Sequence, residues 1–178
     1  MNLYQFHFNI WQGEWKKEKE KSTRPGDIGY NGPESDKMRR EKFMIVLITL
    51  DDNNGMMFNS RRQSRDKYLR MEILKLTQGE KLWMSPYSFT QFKDMEAPNI
   101  CVSEEFLQYA EEGDYCFVED GKLKPWQEKI EKLYLYRWNR VYPSDQKLDL
   151  SLEEWRLADT RDFPGKSHEK ITEEVYLK

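Results

Sequence analysis

The stretch Phe43-Met-Ile-Val-Leu-Ile-Thr-Leu50 is a continuous apolar run in a chain that is otherwise rich in charged residues. A run of this length, bounded by polar residues, is typical of a central strand that is covered on both faces. The next five residues, Asp51-Asp-Asn-Asn-Gly55, favour a tight turn because Asp, Asn and Gly readily adopt turn conformations. We therefore expect a folded domain to begin at Phe43.

The residues before Phe43 have a different character. From Tyr4 to Ile10, apolar and polar side chains alternate, which predicts a strand that pairs with a sheet edge of the same or a neighbouring subunit. Residues 15 to 42 are charged and contain Pro-Gly and Gly-Pro turns, so we interpret them as a linker. The predicted organisation is an N-terminal extension of residues 1–42 and one domain of residues 43–178, with a homodimer through the N-terminal strand as one expectation.

Bulk composition excludes several classes of protein. The net charge is −3, and 29 basic residues are scattered among 32 acidic ones, so we expect no nucleic-acid partner. No window approaches 18 apolar residues and no signal sequence is evident, so we expect neither membrane insertion nor export. Two cysteines, Cys101 and Cys116, are interpreted as buried thiols, which suits a cytoplasmic location. Two histidines, His7 and His168, are too few for a di-zinc hydrolase, and we expect no metal site.

Beyond the first strand, the pattern alternates between helices and strands. A helix is predicted over residues 67 to 78, capped by Ser64 or Asp66 and ended near Gly79. A short helix or turn is predicted over residues 88 to 92, and another helix begins with Ser103 as its cap. Strands are predicted over residues 81–84, 99–102, 115–118 and 132–136, with two more flanking the loop near Ser167. This alternation favours right-handed crossovers and a largely parallel sheet that is closed by an antiparallel hairpin.

The order of these pieces resembles dihydrofolate reductase. Residues 44–56 resemble its first strand and glycine-containing loop, and residues 76–84 resemble its second strand. Residues 131–135, Asp145, residues 152–157 and residues 173–176 resemble its C-terminal strand, tryptophan motif and terminal hairpin. The resemblance implies a three-layer α/β fold over residues 43–178, with a mostly parallel central sheet and a C-terminal antiparallel hairpin.

The chain departs from this family where the family binds its cofactor. The Gly-Arg and threonine that hold the cofactor phosphate are replaced by Ser85-Pro86-Tyr87-Ser88, and the family's glycine pair is replaced by Glu119 and Asp120. Each carboxylate beside a phosphate would cost roughly 2 to 4 kcal/mol at an effective dielectric near 20. We therefore expect no cofactor, with NADP retained only if these side chains face solvent.

The residues that bind folate in the family are also missing. The acidic residue with which the family binds the pteridine ring aligns near Leu69. Asp66 could take its place only after a shift of the alignment, so a capping role for Asp66 is favoured. The arginine with which the family binds the tail of the substrate aligns near Ala97. The threonine that supports the acidic residue is replaced by Tyr136. The segment between Ser88 and Val118 is shorter than in the family by about a strand and a loop. These departures from the family therefore imply poor binding of folate.

A ligand site is nevertheless predicted at the loop that covers the cleft in this fold. The arginines of this loop either grip an anion or form a solvated turn whose charges pair with Asp51 or Asp52, and both interpretations stay open. The leading hypothesis is a domain without dihydrofolate reductase activity that binds a small ligand or a protein partner. The alternative is an NADPH-dependent reductase of a pterin-like or other heterocycle. The candidate ligand-binding residues are Arg61, Arg62, Gln63, Ser64, Asp66, Tyr87, Ser88 and Tyr136.

Overall fold

The computed structural model describes residues 43–178, and the strand and linker predicted over residues 1–42 lie outside this part of the chain. A seven-stranded sheet forms its centre. The strands of this sheet are β1 (Met44–Leu50), β4 (Leu82–Met84), β5 (Ile100–Val102), β6 (Tyr115–Val118), β7 (Ile130–Arg137), β9 (Arg156–Phe163) and β10 (Ile171–Leu177). Their order in the sheet is β5-β4-β6-β1-β7-β10-β9. A separate three-stranded sheet has the order β3-β2-β8 and contains β2 (Gly55–Phe58), β3 (Arg61–Arg62) and β8 (Gln146–Lys147).

Strand β1 is the middle of the large sheet and all seven of its residues are buried. It pairs in parallel with β6 on one side and β7 on the other, as its continuous apolar sequence predicts for a strand that is covered on both faces. Strand β4 continues the parallel arrangement between β6 and β5. The predicted parallel sheet is therefore confirmed.

The last two strands of the chain run antiparallel and form one end of the sheet. Strand β10 pairs with β7 and with β9, and the connection between β9 and β10 contains Ser167 and His168. The predicted closing hairpin is confirmed.

The helices are short, and their starts differ in part from the prediction. Helix α1 (Lys67–Leu76) is capped by Asp66, one of the two predicted caps, and ends two residues before the predicted end. Helix α2 (Pro86–Phe89) begins earlier than predicted because the Ser85 hydroxyl accepts a hydrogen bond from the backbone of Ser88. Helix α3 (Phe106–Tyr109) begins after Glu105, because Ser103 caps the turn that precedes the helix. A 3-10 helix spans Lys124–Lys129.

Apolar side chains cover both faces of the large sheet. One face packs around Val46, Ile48 and Leu135, and the other packs α1 against Leu47 through Leu69 and Ile73. Among the cysteines, Cys116 is buried as predicted, whereas Cys101 is half-buried because it lies on the edge strand β5. Within residues 43–178, no helix is long and apolar enough to cross a membrane.

Candidate ligand-binding site

The ends of β4 and β6 bring together the two stretches that the resemblance assigns to the cofactor phosphates. These strands pair in parallel, with Met84 opposite Phe117, so the residues that follow them lie at the same edge of the sheet. The Ser85 hydroxyl lies 3.4 Å from Oδ1 of Asp120 and 3.3 Å from Oγ of Ser88. Polar side chains from the two stretches are therefore in contact with one another at this edge.

Glu119 does not face solvent at this edge. Only 2% of the residue is exposed, and its Oε1 lies 3.2 Å from Nε of Arg62. Burial raises the pKa of Glu119 to about 7, against the opposing effects of the Arg62 charge and hydrogen bonds from Ser88 and Gln91. The carboxyl group is an internal partner of Arg62.

Arg62 is held from several sides in addition to its ion pair. Its backbone N–H donates to the Tyr87 hydroxyl over 2.8 Å, and its guanidinium donates to the Tyr87 carbonyl over 2.9 Å. The guanidinium also stacks on the Tyr87 ring, with 4.4 Å between Cζ and the ring centre. Arg62 and Tyr87, two of the predicted site residues, are thus in contact and hold the loop against α2.

Asp51 and Asp52 are not the partners of the arginines. Asp51 is buried and accepts hydrogen bonds from the backbone of Asn53, Gly55 and Tyr142 and from the side chain of Gln63. The turn therefore uses its own carboxylate to bind backbone N–H groups, whereas Arg62 pairs with Glu119 and Arg65 with Asp94. The expected pairing with Asp51 or Asp52 is wrong for this reason.

A cavity of about 510 Å³ opens between the arginine loop and the segment that follows β7. We call it the loop cavity. Arg61 is exposed in it and forms no ion pair with residues 43–178, while Tyr142 and Phe58 supply apolar surface. The cavity is lined by Phe58, Asn59, Arg61, Arg62, Gln63, Tyr142 and Pro143.

Gly55 lies close to two side chains, one of which lines the loop cavity. A Cβ atom at this position would lie 2.7 Å from Nε2 of Gln63 and 2.7 Å from the side chain of Ser144. A larger residue would therefore require these side chains to shift.

Asp66 lies at the start of α1 and has four hydrogen-bond donors. Its Oδ1 accepts from the backbone of Tyr68 and Leu69, and its Oδ2 accepts from the backbone N–H and the hydroxyl of Ser167, over 2.6 and 2.7 Å. Burial raises its pKa, but the hydrogen bonds outweigh burial and hold the pKa below the ordinary value of 3.8. Asp66 is a helix cap that ties α1 to the connection between β9 and β10.

A chain of hydrogen bonds continues from Asp66, and sequence reasoning did not anticipate it. The Ser167 hydroxyl lies 2.9 Å from Nδ1 of His168, and Nε2 of His168 lies 2.8 Å from the Tyr142 hydroxyl. Burial and the charge of Arg140 lower the pKa of His168. The serine, not the histidine, contacts the carboxylate, so the arrangement differs from a hydrolase triad.

Five of the eight predicted site residues do not line the loop cavity: Ser64, Asp66, Tyr87, Ser88 and Tyr136. Tyr136 is fully buried in β7, packs edge-on against Phe163 at 6.4 Å between ring centres, and has its pKa raised by burial and by Glu173. The Ser64 hydroxyl lies 3.3 Å from that of Ser167. In residues 43–178, no group of three or more His, Cys, Asp or Glu side chains is arranged to hold a metal ion.

Comparison with known proteins supports the fold. The chain matches no protein-family model and no curated protein. Among solved structures, it is similar to dihydrofolate reductase from Enterococcus faecalis complexed with NADP(H) and RAB-propyl, with a TM-score of 0.55 and 13% sequence identity. The match covers 76% of this chain and 95% of that chain. The fold is dihydrofolate reductase-like. At 13% identity the similarity extends to the fold alone.

Proposed function

We propose that this chain is a dihydrofolate reductase-like domain without dihydrofolate reductase activity, which binds a small anionic ligand in the loop cavity. The absence of the reductase activity is argued from the burial of Glu119 against Arg62. When it is ionised, Glu119 would repel a diphosphate beside it, and moving it aside to admit the cofactor would leave Arg62 without its partner.

The state of Asp66 supports the absence of reductase activity. A general acid must hold a proton near neutral pH, whereas the hydrogen bonds to Asp66 keep its pKa below the ordinary value. Its two oxygens are already engaged by Tyr68, Leu69 and Ser167. Asp66 is therefore poorly suited to protonate a heterocyclic substrate.

The chemistry of the loop cavity favours a ring-bearing anion. Arg61 offers a guanidinium that is exposed to solvent, and Phe58 and Tyr142 offer apolar surface beside it. The volume of about 510 Å³ is large enough for a small organic ligand. The alternative, an NADPH-dependent reductase of a pterin-like heterocycle, requires Glu119 and Asp120 to face solvent, and Glu119 is buried.

The first experiment is a calorimetric titration of the full chain with NADPH, alongside the Glu119→Gly, Asp120→Gly double variant. We expect no binding of NADPH to the wild-type chain at micromolar concentration. Binding to the double variant alone would attribute the loss to the two carboxylates. Micromolar binding by the wild type would overturn the proposal in favour of the reductase.

A second experiment tests the loop cavity with anilinonaphthalene sulfonate, a fluorescent ring-bearing anion. We expect Arg61→Gln to weaken its binding by about tenfold, because the variant removes the exposed guanidinium of the cavity. The matched control is Arg156→Gln, on the exposed strand β9. Equal binding by both variants would show that the dye does not report on the loop cavity and would remove the support for an anion there.

A further inference from the structure

A second cavity, of about 490 Å³, lies at the start of α1. It is bordered by the loop before α1, the first turns of α1, the segment after α2 and the connection between β9 and β10. We call it the basic cavity, because four of its six lining residues are basic. The lining residues are Arg65, Lys67, Arg70, Asp94, Lys166 and Ser167.

Two of these basic side chains are fixed in place by a shared carboxylate. Arg70 is 5% exposed and donates through Nη1 to Oδ1 of Asp94 over 2.7 Å and to the Gln91 carbonyl. Arg65 donates through Nη2 to the same two oxygens, over 3.0 and 3.1 Å. Each guanidinium carries five N–H donors, and Arg65, whose side chain is 47% exposed, keeps donors for a ligand beyond these contacts.

The negative charge in the basic cavity does not balance the positive charge. Asp94 is the single acidic lining residue, and both arginines share it. Lys67 and Lys166 are exposed and have no carboxylate within 4.0 Å among residues 43–178. The Asp66 carboxylate lies behind Ser167, but it already accepts four hydrogen bonds.

We propose that the basic cavity binds the phosphate monoester group of a small soluble molecule. A phosphate monoester carries close to two negative charges and three acceptor oxygens, which match the positive charge of the two guanidinium groups and the two ammonium groups. The volume of about 490 Å³ exceeds that of a phosphate group, which leaves room for the organic part of the ligand. The proposal is independent of the ligand proposed for the loop cavity.

The test is calorimetry of the full chain with glycerol 3-phosphate and with inorganic phosphate, at an ionic strength held constant with chloride. We expect saturable binding of both, and a loss of at least about tenfold in affinity in the Lys67→Gln, Lys166→Gln double variant. The matched control is Lys75→Gln, Lys147→Gln, which removes two exposed lysines that lie outside the basic cavity. Thermal unfolding of each variant shows that both pairs remain folded.

Asp94→Asn provides a change in the opposite direction. It removes the one lining carboxylate while keeping an oxygen that can accept from Arg65 and Arg70, so phosphate should bind several-fold more tightly. Arg156→Gln should leave phosphate binding unchanged, because Arg156 lies on β9 and lines neither cavity. The proposal would be overturned by heats that do not saturate or by equal affinities of the two double-lysine variants for phosphate. Binding to vesicles of phosphatidic acid without binding to the two soluble phosphates would also overturn it.

Discussion

Two buried carboxyl groups of the protein have pKa values that are shifted in opposite directions. Asp66 at the start of α1 is 1% exposed and has a lowered pKa, whereas Glu119 at the end of β6 is 2% exposed and has a pKa of about 7. Both surfaces are covered, but Glu119 lies deeper in the protein than Asp66, so burial raises its pKa more. The hydrogen-bond donors around the two groups widen the difference.

The difference shows how a buried charge is stabilised in this fold. Asp66 receives three backbone N–H groups and one hydroxyl, all aimed at its two oxygens. Glu119 depends mainly on one guanidinium, and the surrounding apolar strands remove it from water. The backbone N–H groups at the start of a helix are held in place by the helix itself and stabilise a carboxylate there. Fewer such fixed donors surround Glu119. Asp66 thus stabilises the fold as an anion, and Glu119 stabilises it best when it carries a proton.

The largest expected effect is that of Asp66→Ala. The variant removes the cap of α1 and leaves the N–H groups of Tyr68, Leu69 and Ser167 without their acceptor, so we expect a loss of about 3 kcal/mol or more in the free energy of unfolding. Urea unfolding at pH 7 measures it, with the exposed turn residue Asp52→Ala as control. Similar losses in the two variants would mean that Asp66 is not a structural anion.

The next effect is a pH dependence that Glu119→Gln should abolish. The folded chain holds a proton on Glu119 up to a pKa of about 7, while the unfolded chain releases it near the ordinary value of 4.5. The contribution of Glu119 to the free energy of unfolding is therefore full below about pH 4.5 and falls as the pH rises to about 7, by roughly 3 kcal/mol.

The measurement is the free energy of unfolding of the wild type and of Glu119→Gln at several pH values between 4.5 and 8. Because the variant cannot titrate at this position, its stability relative to the wild type should increase with pH across this range. Parallel pH profiles for the two proteins would mean that Glu119 ionises like an exposed carboxyl group, and the contrast with Asp66 would be lost.

The smallest effect is expected for Ser167→Ala, which sharpens the comparison by removing one of the four donors to Asp66. The backbone N–H of Ser167 remains, so we expect a loss of about 1 kcal/mol, well below that of Asp66→Ala. The pKa of Asp66 should rise toward 3.8, as followed by the carboxyl carbon resonance in a pH titration. An unchanged pKa would assign the acid strength of Asp66 to its backbone donors alone.

Local sequence patterns predicted the elements well. The apolar run of β1, the cap of α1 at Asp66 and the closing hairpin depend on residues that are neighbours in the chain, and all three are confirmed. The resemblance also indicated which residues replace the family's phosphate-binding glycines. It did not indicate that Glu119 would be buried, because burial depends on the strands packed around it.

The site was less accessible to sequence reasoning. Arg62 and Tyr87 were predicted as site residues, but their role as partners of one another follows from the packing of the loop on α2. Ser167 was missed as a partner of Asp66, because 101 residues separate them and no local pattern links them. The basic cavity was missed for the same reason, since Lys166 and Arg70 belong to distant elements.

By itself, the sequence determined the order of strands and helices and the buried central strand, because these depend on residue type and short-range spacing. Only the tertiary structure decided which charges meet. It joined Arg62 to Glu119 and Ser167 to Asp66, and it gathered basic side chains from separate elements around one cavity. The physical reason is that electrostatic energy depends on distance and burial in the folded chain, and neither quantity is present in the order of residues.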